Sequence, residues 1–334
     1  MPGNFNEISL EAFSSWPPPN YVDPERRTWL PAYTITFLAV STLLLAGRLW
    51  LRARGQAGPL GLDDLFIFLG WAGSVLFSAC AVIAAEVHGL DRHTWDVPPT
   101  HFDDAAFYGW LAQIAFISST TATKISVLLF YRRMVHVSSS SPSSSADRHD
   151  RSRCWRLAIR LAIAFLVLFA ISILTTYACI CTPLSAYWRS YNFSYDTPFT
   201  CIDGNIISPL VGAVSVFTDI YTVALPFLML RHYRLNIPRR QAILLNILFA
   251  GGLVPAACGV PRTYYLYQLN HTNDTSWAGF DVFVWSLPEC HLAIIFACLP
   301  ALRALIRRYL GEASAMSARS ASRRSAPPYS FSTP

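Results

Sequence analysis

Residues 161–188 read LAIAFLVLFAISILTTYACICTPLSAYW, a run without a single Lys, Arg, Asp or Glu. A helix of about 20 such residues crosses the roughly 30 Å of hydrocarbon in a bilayer. Three more runs, Thr28 to Gly47, Leu65 to Ala85 and Ala105 to Thr123, are equally free of these residues. Three further runs carry charge: Asn205 to Leu230 contains Asp219, Gln241 to Tyr267 contains Arg262, and Phe280 to Leu302 contains Asp281 at its rim and Glu289 inside. Lipid offers backbone N–H and C=O groups no partners, so spanning segments of this kind are helices. The sequence therefore predicts an all-α membrane protein, a bundle of seven transmembrane helices over about 28–51, 64–87, 104–131, 157–181, 205–230, 241–267 and 280–305. Pro226, Pro255, Pro261, Pro288 and Pro300 mark expected kinks in the last three.

Composition agrees. Of 334 residues, 53% are hydrophobic and 14% charged, against about 25% charged in an average soluble domain. The net charge of +6 comes almost wholly from Arg in short stretches between apolar runs, so it does not form the basic face that nucleic acid requires. No nucleic-acid partner is expected; the partner is the lipid bilayer. Residues 1–27 lack the apolar stretch and small-residue cleavage site of a signal peptide and read as an extracellular tail.

Orientation follows from basic residues in the segments between spans. With the N-terminus outside, 19 Lys and Arg fall on the cytoplasmic side, Arg48, Arg52 and Arg54 among them, and four on the other. The three N-x-[ST] sequons, at Asn192, Asn270 and Asn273, all fall in predicted outer loops, where glycans are added. The C-terminus is then cytoplasmic and the location a multi-pass membrane, with the plasma membrane expected. The serine tract from Val137 to Ala146 and the Ser-, Ala- and Arg-rich tail 310–334 read as disordered cytoplasmic segments.

No Gly-rich phosphate loop, G-x-S-x-G elbow, H-E-x-x-H or C-x-x-C is present, and the intramembrane acids are scattered over several helices, so no enzyme is expected. The segment EVHGLDRHTWDVPPTHFDD (86–104) concentrates His88, His93 and His101 with five acids. Two readings stand for it, a divalent-metal site or a hydrogen-bonded cap, and the cap is favoured. Cys181 and Cys201 both face an oxidising compartment, which favours a disulfide; free thiols, or Cys179 as the partner, are the alternatives. Lys124, the only lysine, lies at a depth similar to Asp63 and Asp64. It either pairs with them, or snorkels while they cap a helix. Arg262 and Glu289 are expected to form an ion pair, with Asp219 as a second acceptor for Arg262.

The ordered motifs GLDDLFIFLGW, HGLDRHTWD, TATKISVLLFYRRM, CTPLSAYWRS, TCID, FTDIYTVALPFLMLRHYRL, GGLVPAACGVPRTYYL and WSLPECHLAIIFACLPALR resemble the fungal rhodopsin-domain family, the receptor-like seven-helix proteins of filamentous fungi. The resemblance runs from about Thr28 to Arg308. It implies Asp63, Asp64, His93, Lys124, Tyr131, Cys181, Pro183, Trp188, Cys201, Asp219, Pro226, Arg262, Glu289 and Pro300 as characteristic positions. Some relatives implicated in sensing host surfaces carry a cysteine-rich domain before the first helix; residues 1–28 hold no Cys, so that role is not implied. No retinal is expected, because the lysine that binds it in opsins stands in the seventh helix and none follows Lys124 here. The motifs Asp-Arg-Tyr and Asn-Pro-x-x-Tyr are also absent, so kinship with animal G-protein-coupled receptors is one of topology alone. The functional expectation is a receptor for an unknown extracellular small ligand, signalling to a cytoplasmic protein. A transporter or channel for a small solute is the alternative.

Overall fold

The computed structural model describes residues 16–56, 58–139, 146–192, 195–202, 204–232 and 239–324. Its long helices are α1 (Leu30–Ala53), α2 (Leu62–Glu86), α3 (Phe102–Ser139), α4 (Ala146–Ala178), α6 (Gly204–His232), α7 (Arg239–Leu269) and α8 (Thr275–Arg324). A short helix α5 (Ala186–Arg189) lies between two-residue strands β1 (Cys181–Thr182) and β2 (Thr200–Cys201), which pair antiparallel with Cys181 opposite Cys201. Six helical segments are long and apolar enough to cross a membrane among the described residues: Leu30–Ala53, Leu62–Glu86, Pro99–Arg133, Arg153–Ala178, Gly204–Leu225 and Thr275–Pro300. The expected span 241–267 falls in α7, a 31-residue helix that is not among those six. Its second half carries Arg262, two prolines and three tyrosines.

Packing follows chain order and closes into a ring. Helix α2 packs on α3, α3 on α4, α6 on α7 and α7 on α8, while α1 sits between α2 and α8. Helix α3 also meets α6 and α8, which makes it the central element. Its approach to α2 is close because Gly70 and Gly73 face Ser119 and Thr123: a Cβ on Gly73 would stand 3.1 Å from the Cα of Ser119. Small residues let two backbones come together where lipid supplies no hydrophobic drive for helix association. The Ser119 hydroxyl uses that closeness to donate to the Gly70 carbonyl at 2.7 Å.

The burial pattern is that of a protein solvated by hydrocarbon. Leu43 is 72% exposed and Leu168 66%, whereas Arg262 is 0% and Glu289 1%. In water the first pair would cost stability; in a bilayer both suit their surroundings. With the six apolar helices, this makes the chain a multi-pass membrane protein.

Two departures from the sequence reading concern the ends of elements. The last helix runs on to Arg324, so residues 310–324, expected as disordered tail, are helical, and 325–334 lie outside the described residues. Ala and Arg, which fill that stretch with Ser, are strong helix formers and let a helix continue without an apolar face. Most of the serine tract also lies outside the described residues, but Val137–Ser139 extend α3. Helices α7 and α8 continue through Pro255 and Pro261 and through Pro288 and Pro300. Proline leaves the carbonyl four residues earlier without its helical donor. For Pro288 that carbonyl is Val284, and the Tyr33 hydroxyl of α1 supplies a donor at 3.3 Å.

Candidate functional site

Two groups of buried charges dominate the interior. The first sits at the bundle end formed by the C-terminus of α1 and the N-terminus of α2. Arg48 and Arg52 are one turn apart on α1 and share a face. Arg48 donates from Nη2 to Asp63 Oδ2 at 2.8 Å and from Nε to Asp64 Oδ1 at 3.0 Å. Arg52 Nη2 reaches Asp63 Oδ2 at 2.7 Å, and its Nη1 lies 3.1 Å from Asp64 Oδ2. Arg48 also donates to the Ala297 carbonyl of α8 at 2.7 Å, and Arg133 of α3 comes within 3.7 Å of Asp63. The cluster thus ties four helices together, with Asp64 also accepting from the Gly61 amide at the start of α2.

This corrects the sequence reading of Asp63 and Asp64. They neither pair with Lys124 nor act only as helix caps; their partners are Arg48 and Arg52, which the loop count had placed in a solvated segment. The arginines lie in the last two turns of α1, buried to 1% and 3% exposure, because the two aspartates meet them as α2 turns back.

Lys124 instead faces α6. Its Nζ lies 3.1 Å from Asp219 Oδ1 and donates to Thr218 Oγ1 at 2.8 Å and to the Ser215 carbonyl at 3.3 Å. Ser215 is the link to the next pair, since its hydroxyl donates to Glu289 Oε1 at 3.3 Å. Glu289 Oε2 accepts from Arg262 Nε at 2.7 Å, and the guanidinium lies 4.3 Å over the ring of Phe116. Gly259 makes room for this carboxylate, for a Cβ there would stand 3.2 Å from Glu289 Oε2. So Asp219 is not the second acceptor for Arg262 that the sequence suggested: it turns toward α3, where Lys124 neutralises it. The result is a chain of contacts, Lys124–Asp219, Ser215, Glu289–Arg262, across α3, α6, α8 and α7. It holds two bases and two acids, all buried. Among the described residues, Asp219 Oδ2 and Arg262 Nη2 have no hydrogen-bond partner.

Beside this chain, toward the end of the bundle that holds the Arg48 cluster, lies a cavity of about 70 Å³. Lys124 and Asp219 stand in its wall with Phe130, Val223, Pro255 and Phe296. A third polar contact, absent from the sequence reading, is His291 of α8, fully buried between Ser41 of α1 at 2.9 Å and Ser78 of α2 at 3.0 Å. Its only sequence signal was a histidine inside an apolar run.

The opposite end is closed by the N-terminal segment and the loop 87–101. His93 stacks between Trp95 and Trp277, with ring centroids at 4.7 and 4.0 Å, and its Nδ1 contacts Asp274. Asp274 also accepts from the Thr94 amide at 3.0 Å. Arg26 pairs with Asp91, Arg27 with Asp281 at 2.7 Å, and the Arg27 guanidinium lies 3.6 Å over Trp277. His88, within 3.8 Å of Asp104, is held below the usual imidazole pKa by burial, which Asp104 opposes. The His- and acid-rich segment is therefore a cap. Among the described residues no three His, Cys, Asp or Glu side chains come together as a metal site. Cys181 and Cys201 are joined by a disulfide, and Cys179 is a free, exposed thiol. Asn192 and Asn273 are exposed, whereas the Asn270 side-chain amide donates to the carbonyls of Gly204 and Leu266.

The chain is 26% identical over 255 residues to a SAT4 family membrane protein of Emericella nidulans, covering 76% of this chain and 59% of that one. It is 25% identical over 280 residues to Receptor GIN3 of Arthrobotrys oligospora, covering 82% and 61%. A third relative, the polyenoic acids biosynthesis gene cluster protein Ba17b of Metarhizium anisopliae, is 21% identical, with 84% and 74% covered. The chain thus spans about three-fifths of the length of the first two. No solved structure matches it. The model of the fungal rhodopsin domain matches residues 47–308. That interval begins one residue before Arg48 and contains every member of both buried charge groups, and the chain belongs to the fungal rhodopsin domain family.

Proposed function

We propose that this protein is a receptor with seven spans, α7 included, its N-terminal cap outside and its Arg-rich face in the cytoplasm of the plasma membrane. It is not an enzyme and carries no retinal or other cofactor. In this reading a small extracellular ligand acts on the capped end, and a cytoplasmic protein reads the change at the other. The observation that carries it is the buried chain from Arg262 and Glu289 through Ser215 to Lys124 and Asp219. Two acids and two bases separated by one hydroxyl can exchange partners without leaving net charge in hydrocarbon, which suits an element with two discrete arrangements. Support also comes from the relative named as a receptor and from the excess of Arg on one side. A carrier is the second reading, favoured by the cavity that Lys124 and Asp219 line.

The test uses fluorescent donor and acceptor tags in the serine tract and after Pro334, in cells given fractions of fungal culture medium from outside. Purified protein in liposomes is assayed in parallel for uptake of labelled amines, sugars and organic acids. A receptor gives a change in energy transfer without uptake. Uptake with no change in energy transfer overturns the proposal in favour of the carrier.

A further inference from the structure

We infer that the cavity between α3, α6, α7 and α8 is a binding site for a small neutral molecule, mostly apolar, with one hydroxyl or amide donor. The site stands whether the chain is a receptor or a carrier, and it is separate from the capped end. Phe130, Val223, Pro255 and Phe296 give it apolar walls, and Lys124, Asp219 and Thr222 stand among them. A mostly apolar lining with a few polar groups suits an apolar body that carries one polar group.

The charge of the ligand follows from the charges already there. Lys124 and Arg262 balance Asp219 and Glu289, each base lying within 3.1 Å of one acid. An added cation or anion would leave one charge unpaired, which is strongly unfavourable, whereas a neutral molecule leaves the balance intact. The polar requirement follows from Asp219. Its Oδ1 takes Lys124, but among the described residues Oδ2 is buried with no donor, in a side chain only 9% exposed. A buried carboxylate oxygen lacking a partner is costly, and a ligand O–H or N–H meets that need. Lys124 already has Thr218 and Ser215 besides Asp219, so it offers little to an acceptor.

The experiment is equilibrium dialysis of the full chain in lipid nanodiscs against four naphthalenes of one shape: 2-naphthol, 2-methoxynaphthalene, 2-naphthoate and 2-naphthylmethylammonium. Empty nanodiscs measure partition into lipid. Saturable binding of one 2-naphthol per chain is expected, about tenfold weaker for the methoxy compound, which lacks the donor, and weaker still for both ions. Ala293→Leu, which fills the cavity from α8, should remove 2-naphthol binding while the disulfide and melting profile persist. If that variant fails to fold, the four probes on the unaltered chain decide alone. Equal binding of naphthol and its methyl ether, uptake no greater than into empty nanodiscs, or full binding by a folded Ala293→Leu overturns the proposal.

Discussion

Replacing Arg262 and Glu289 by leucine, singly and together, gives unequal losses that the surrounding contacts fix. Both side chains are about 1% exposed and meet at 2.7 Å, and stranding one partner of such a pair typically costs about 3–5 kcal/mol. In Arg262→Leu the orphaned carboxylate keeps the Ser215 hydroxyl at 3.3 Å, so the loss belongs near 3 kcal/mol. In Glu289→Leu the guanidinium loses its acid and keeps the Phe116 ring at 4.3 Å, with Nη2 already lacking a partner. The loss there belongs near 5 kcal/mol. The double variant removes both charges and should be close to neutral, as replacing a buried pair with apolar residues often is. The assay is thermal or denaturant unfolding of the purified protein in detergent, with folded yield as a second readout. The cycle should give a coupling of at least about 3 kcal/mol. Additive losses, or a double variant worse than Glu289→Leu, would refute the reasoning.

Other substitutions test the remaining parts of the frame. Asp219→Ala leaves Lys124 no carboxylate, only the Thr218 hydroxyl and the Ser215 carbonyl, and should destabilise by about 3–5 kcal/mol, more than Asp63→Ala, which leaves Arg48 and Arg52 sharing Asp64; the order is read from melting temperatures. Cys181→Ser and Cys201→Ser should each cost about 3 kcal/mol by opening a loop closed over 20 residues, and the double variant little more; additive losses would count against the bond. Gly73→Val forces α2 and α3 apart at Ser119 and should lower folded yield, whereas valine at Gly55, which meets no atom within 4 Å, should strain only a left-handed turn. Equal effects of the two would remove the close approach from the account.

Much of the bundle was legible because hydrocarbon imposes one rule on every span: a long run without charge becomes a helix. That rule set α1, α2 and α6 near their observed bounds, whereas α3 runs on past the expected span to Ser139 and α4 begins before it at Ala146. It was weakest for α7, where Arg262, Pro255 and Pro261 dilute the apolar signal. Depth was also legible, since 1.5 Å per residue brings Arg262 and Glu289 to similar heights. Rotation about the helix axis was not. Lys124 and Asp63 share a depth, yet Lys124 looks toward α6, and no count of residues between spans reveals which way a side chain points. Arg48 and Arg52 were counted as loop charges for a related reason: charge at the end of a span usually meets water or headgroups. Here it meets Asp63, 15 residues on from Arg48 and 11 from Arg52, and its neighbour Asp64. The final helix beyond 309 escaped because composition was weighed by its serines more than by its alanines and arginines.

The number of spans is the claim on which orientation, ligand side and partner side all depend, and its parity can be measured directly. Epitope tags at Met1 and after Pro334 are stained in intact cells and again after permeabilisation. Seven spans with the N-terminal cap outside predict that the first tag stains in intact cells and the second only once the membrane is opened. Staining of both tags under the same condition would mean an even number of spans, and would contradict a membrane-crossing α7.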